Sequence, residues 1–143
     1  MPTDPVPRHI LAINNDASVL ELFRDVLEEE GYRVSTQPYL EKDLAAIVAL
    51  EPDLIILDYM WPGEDNGWSL LQMLRMKRAT AAIPVVLCTA AVREVEALGS
   101  HLMEMGVRVV LKPFDLDTLL AAITDALAEA DGKNAGLTAN GRE

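Results

Sequence analysis

Four segments of this chain place groups suited to phosphorus chemistry directly after short apolar runs. Asn14, Asn15 and Asp16 follow His9 to Ile13, and Asp58 follows Leu54 to Leu57. Thr89 follows Ile83 to Cys88, and Lys112 with Pro113 follows Val107 to Leu111. A carboxylate at such a position can attack phosphorus and form an acyl phosphate. The transition state spreads negative charge over the phosphoryl oxygens, which an ammonium such as that of Lys112 would stabilise. A hydroxyl such as that of Thr89 can donate a hydrogen bond to one of those oxygens. The transferred group adds strong acceptors and charge, enough to draw a hydroxyl and a loop toward it. A divalent cation such as Mg²⁺ prefers carboxylate oxygens, and the seat for one is short of them.

These groups are brought together only if the apolar runs are strands of one sheet. Short β-branched runs alternate with longer amphipathic ones. His9 to Ile13, Tyr32 to Thr36, Leu54 to Leu57, Ile83 to Cys88 and Val107 to Leu111 are expected strands. Val19, Leu20, Phe23, Val26 and Leu27 recur at helical spacing, with Gly31 at the C-terminal cap. Leu40, Leu44, Ile47, Val48 and Leu50 mark a second helix ended by Pro52, and a third starts near Gly67 with Leu70, Leu71 and Leu74 inward. A fourth, Val92 to Met105, is interrupted by Gly99 and Ser100. The last carries Leu116, Leu119, Leu120, Ile123 and Leu127 behind Asp115 as N-cap. Strands apolar on both faces imply a parallel sheet covered on both sides. Right-handed crossovers then give an α/β, doubly wound, five-stranded sheet of order 2-1-3-4-5. Ligand sites in such sheets form beyond the carboxyl ends of the strands, where the four polar segments lie.

Composition narrows the function classes. The chain has 143 residues, suited to one domain. We divide it into a short extension at 1–7, a domain at 8–130 and a flexible tail at 131–143, where Gly, Asn, Lys and Thr replace the apolar period. Twelve basic residues against 23 acidic ones give a net charge of −11, which repels phosphate backbones and anionic lipid. Neither nucleic acid nor membrane is an expected partner. The single cysteine, Cys88, excludes an internal disulfide and a multi-cysteine zinc site, and is expected to be a buried small hydrophobe. No apolar run reaches spanning length and no signal peptide opens the chain, so a cytoplasmic location is expected.

The four segments together resemble a two-component response regulator receiver domain, the CheY-like fold, over about residues 8–130. The resemblance rests on Ile10-Leu-Ala-Ile-Asn-Asn-Asp16, Leu57-Asp58 with Pro62 four residues beyond, Pro84-Val-Val-Leu-Cys-Thr89-Ala90, and Leu111-Lys112-Pro113-Phe114, in order and in the right elements. It implies that Asp58 accepts phosphate from a histidine kinase or phosphotransfer protein, that Thr89 is the switch hydroxyl, and that Lys112, followed by Pro113, binds phosphate. It implies a metal seat made of Asp58, the backbone carbonyl of Met60 and the acids that end the first strand. It also implies a phosphoprotein that is not an enzyme, and an output or homodimer surface on the fourth helix, fifth strand and fifth helix. Since no effector domain follows residue 130, a stand-alone receiver with a separate downstream partner is expected.

The chain departs from that pattern at the metal seat. Asn14 and Asn15 stand where the family carries two acids; Asn15 replaces a direct ligand and Asn14 an outer one. Asparagine keeps an acceptor oxygen but loses the charge, so weak Mg²⁺ binding is expected, with Asp16 helping through water. Val109 stands where the family often has a switching aromatic, and Trp61 is an unusual loop residue. A pseudo-receiver, binding partners without phosphorylation, is the alternative. An enzyme on a similar fold finds no support, because position 60 is Met and no Gly-Lys-Ser/Thr loop exists.

Overall fold

The computed structural model describes residues 7–142 apart from 41, 60, 62–66, 91–92, 94–95, 98–100, 103 and 113–114, with side chains described through 132. Five parallel strands, β1 (His9–Ile13), β2 (Arg33–Gln37), β3 (Leu54–Asp58), β4 (Val85–Thr89) and β5 (Val107–Leu111), form one sheet of order β2-β1-β3-β4-β5. The order and fold class are those expected. The helices are α1 (Ala17–Glu29), α2 (Leu44–Leu50), α3 (Gly67–Met76), α4, described at 93, 96–97, 101–102 and 104, and α5 (Leu116–Arg142).

Every residue of β1, β3 and β4 is buried, which is why these segments are apolar without alternation. Alternate residues feed opposite layers. Ile10, Ala12, Leu54, Ile56, Val86 and Cys88 pack with Leu20, Phe23 and Leu27 of α1 and with Leu119 and Ile123 of α5. Leu11, Ile13, Ile55, Leu57, Val85 and Leu87 pack with Ile47 of α2, Leu70, Leu71 and Leu74 of α3, and Leu102 of α4. Truncating one of the larger buried side chains to alanine costs about 2–5 kcal/mol. The edge strands β2 and β5 are only partly buried and admit polar residues.

Local chemistry fixes the ends. The Asp16 side chain accepts from the backbone N–H of Ser18 at 2.9 Å and caps α1. Gly31, at φ 96°, turns the chain out of α1 as a glycine there should. Asp115 accepts from the N–H of Thr118 at 2.7 Å, as expected for the cap of α5.

The structure moves several boundaries. The second helix starts at Leu44 rather than near Leu40, because the Asp43 side chain accepts from the N–H of Ala45. The second strand runs one residue later than expected, ending at Gln37, whose carbonyl accepts from the N–H of Asn14. Helical backbone in α5 continues to Arg142, past Asp131 where the sequence suggested an end; no proline interrupts it after Pro113. Residues 1–6 of the expected extension at 1–7, half of the interrupted fourth helix, and the loop at 62–66 lie outside the described residues.

Candidate functional site

The parallel register carries Asp58 to the carboxyl edge. It ends β3 and pairs with Cys88 of β4, while Leu57 pairs with Ile13 one residue before Asn14. Thr89, next after Cys88, pairs with Leu111 of β5, so Lys112 emerges beside it; the Lys112 N–H donates to the Thr89 carbonyl at 2.8 Å. Sheet pairing alone therefore gathers residues that are 98 positions apart at the extremes, Asn14 to Lys112.

Asp58 is 4% exposed. Its Oδ2 accepts from Lys112 Nζ at 2.8 Å and from Asn14 Nδ2 at 3.1 Å. Burial of a carboxylate is costly without such partners. Asn14 is itself 3% exposed, and its Oδ1 accepts from the Asp16 N–H at 2.8 Å. That second bond fixes which way the amide points: the oxygen faces a donor, so the nitrogen faces the carboxylate. Thr89 is fully buried at the end of β4. A buried anion, a cation and a hydroxyl-bearing residue are thus assembled at one edge.

Trp61 was an isolated oddity in the sequence. Here its half-buried indole donates Nε1–H to the Asp58 carbonyl at 2.7 Å, tying the loop down to the residue at its start. Gly67 closes the loop on the other side. Its N–H donates to the Tyr59 carbonyl at 2.8 Å, and a Cβ there would stand 2.7 Å from the Asp58 carbonyl oxygen. Only glycine fits without displacing backbone. Neither contact was derivable from spacing, although a tryptophan three residues beyond a strand-end acid was the available signal.

Not every expected site residue joins the cluster. Asn15 is exposed. Asp16 is exposed too, and one of its oxygens serves the N-terminus of α1. Met60 and Pro113 lie outside the described residues. Cys88, the neighbour of Asp58 across the ladder, is buried; burial and the Asp58 charge push its thiol up to about 12, against a smaller opposing effect of Lys112. It stays a protonated thiol at neutral pH.

The described donors do not fit a hard divalent cation. Among the described residues no three acidic, histidine or cysteine side chains gather in one place. Asp58, the one buried carboxylate among the described residues, already offers Oδ2 to two donors, and Asn14, just beyond β1, brings it an N–H rather than an oxygen. Mg²⁺ is held by oxygens, several of them charged.

A family model described as the response regulator receiver domain matches residues 10–124. The DNA-binding response regulator MtrA of Mycobacterium tuberculosis is 32% identical over 133 residues, covering 92% of this chain and 56% of that protein. The chain thus spans about half the length of the curated relatives it matches. A structure of a putative response regulator from Chloroflexus aurantiacus superposes with a TM-score of 0.73 at 28% identity, over 86% of this chain and 99% of that one. A structure of the Vibrio cholerae chemotaxis protein CheY4, at 22% identity, shares the fold with a TM-score of 0.70 over 85% of this chain and 99% of that one. Sheet order, the polar carboxyl edge and the family match agree, and the chain belongs to the response regulator receiver domain family of two-component signalling.

Proposed function

We propose that Asp58 is a phosphoacceptor, charged by the phosphohistidine of a histidine kinase or phosphotransfer protein. A carboxylate oxygen of Asp58 forms the new P–O bond as the donor's P–N bond breaks. The imidazole leaves with the electron pair and takes up a proton. Lys112 offsets charge on the phosphoryl oxygens during transfer, and the Thr89 hydroxyl then donates to one of them. The observation that carries this reading is the Lys112 ammonium, 2.8 Å from a carboxylate that is otherwise buried at the carboxyl edge of the sheet. The chain acts as a stoichiometric switch rather than an enzyme, in the cytoplasm. Its output passes through the α4, β5 and α5 face to a separate downstream partner. Mg²⁺ binds weakly at most. The name of the MtrA relative speaks of DNA binding, and this chain covers 56% of that protein.

Intact mass after incubation with acetyl phosphate tests the reading. One added phosphate on the wild type, absent from Asp58→Ala, supports it; no adduct on the wild type would sink it.

A second reading is favoured by one observation, the Asn14 hydrogen bond that already satisfies Asp58. The domain is then a pseudo-receiver, a fixed docking module. It predicts that Asp58→Ala leaves partner affinity intact, and a large loss with the fold preserved would end it.

A further inference from the structure

Asn14 lacks the charge that an acid at this position would bring. The geometry gives it a positive task instead. Its Nδ2 donates to Asp58 Oδ2 at 3.1 Å, a bond no carboxylate at position 14 can make. The Asp16 N–H holds the other end of the amide at 2.8 Å, so the donor is oriented before any ligand arrives. Both ends of this bond are buried.

Charge arithmetic follows the same line. Carboxylates at positions 14 and 58 would set two buried anions against one lysine, and such a pair stays ionised only if a further cation enters. With asparagine at 14, Asp58 faces Lys112, 2.8 Å away, with no second acid against it among the described residues. Oriented N–H groups stabilise a carboxylate and the charge that develops beside it without any rearrangement of solvent. The described donor set, which does not fit Mg²⁺, thus suits a lone carboxylate.

We propose that Asn14 is a positioning residue that replaces the divalent cation at this pocket, so that Asp58 takes a phosphoryl group without metal. This rests on the phosphoacceptor reading above. The Asn14 amide and Lys112 hold the carboxylate through Oδ2, and its pairing with Lys112 lets an anionic donor approach without a metal to screen it.

The test uses the full chain, acetyl phosphate and two media, one with millimolar Mg²⁺ and one with EDTA. Wild type, Asn14→Asp, Asn14→Ala and Asp58→Ala are followed by intact mass, and Mg²⁺ is titrated against thermal unfolding in parallel. Wild type should form its adduct at rates that agree within about twofold in the two media, with no Mg²⁺-dependent change in Tm. Asn14→Asp should acquire a metal requirement, its rate falling on the order of tenfold or more in EDTA and its Tm rising with Mg²⁺. Asn14→Ala, compared at a temperature where its unfolding curve shows it fully folded, should slow equally in both media, whereas a residue with only a folding role would leave the rate of the folded protein unchanged. A wild-type adduct that forms only with Mg²⁺, or a wild-type Tm that rises with Mg²⁺ and stops rising in Asp58→Ala, would overturn the proposal while leaving the phosphoacceptor reading intact. Absence of any wild-type adduct would sink that reading instead, and the Mg²⁺ titration of unfolding would still decide whether Asn14 has displaced the metal.

Discussion

The two edges of the sheet are both polar, and they are wired differently. At the amino edge the His9 ring spans the Leu50 carbonyl at 2.8 Å and the Ser35 hydroxyl at 2.7 Å, while its backbone N–H donates to Asp53. Arg75 Nε donates to the Met105 carbonyl at 2.7 Å, and the buried Thr80 hydroxyl donates to the Leu74 carbonyl at 2.6 Å. Arg8 pairs with Asp131 at the surface. Each of these bonds ties a side chain to backbone or to one partner, which closes turns and helix ends. At the carboxyl edge, the side chains that directly follow β1 and β5, Asn14 and Lys112, converge on one oxygen at the end of β3. Bonds of the first kind serve the fold. Convergence of the second kind concentrates charge in a buried place, which folding does not require and group transfer does.

Breaking the carboxyl edge should therefore cost chemistry. Lys112→Ala removes the one described cation in contact with Asp58, and adduct formation from acetyl phosphate should fall by about 100-fold or more. A fall of less than about tenfold would show that the ion pair is structural, like its counterparts at the other edge. Gly67→Ala should strike both quantities at once. The added Cβ meets the Asp58 carbonyl oxygen and the Tyr59 Cα, both backbone, so main chain at 58–59 or at Gly67 has to shift. Unfolding should report a loss of about 1–3 kcal/mol, and adduct formation should slow with it. A neutral outcome in both would mean that the loop is not held by this close approach.

His9→Leu is the mirror experiment at the amino edge. The Leu50 carbonyl and the Ser35 hydroxyl lose a buried partner, a cost of about 1–3 kcal/mol in denaturant unfolding. Adduct formation by the folded fraction should match wild type. If it slows instead, the two edges are coupled through β1 and the contrast drawn here fails.

How much of this was legible beforehand follows the same division. The strand order and the residues at the carboxyl edge were readable, because β1, β3 and β4 are uninterrupted apolar runs ending in Asn14, Asp58 and Thr89. A parallel register with right-handed crossovers leaves few ways to arrange them. The direction of the Asn14 amide was not readable. Composition says that asparagine offers both an acceptor and a donor, and only the Asp16 N–H decides which end meets Asp58. The same holds for Trp61, whose partner is a backbone carbonyl, a group every residue carries. His9 gave no spacing signal, since its partners Leu50 and Ser35 come from other elements. The start of α2 was missed because Leu40 continues the helical period, whereas Asp43 caps the backbone later.

The smallest expected effect lies at the start of α5, which follows the lysine on the carboxyl side. The Asp115 carboxyl is held below its ordinary range, chiefly because it accepts from the Thr118 backbone N–H and also from the Thr118 hydroxyl. A carboxylate with a lowered folded-state pKa stabilises the fold above its unfolded value, and that contribution disappears as pH falls through the lower, folded value. Asp115→Asn keeps an acceptor for the N–H but removes the charge at the helix N-terminus. The variant should therefore melt slightly below wild type at pH 7, and the gap should close below about pH 4. Because this group is exposed, added salt should shrink the gap at pH 7 as well. Adduct formation should not change, since Asp115 has no described contact with Asp58. A gap that instead stayed constant into acid would place the helix-end charge outside the linkage and leave the cap acting through geometry alone.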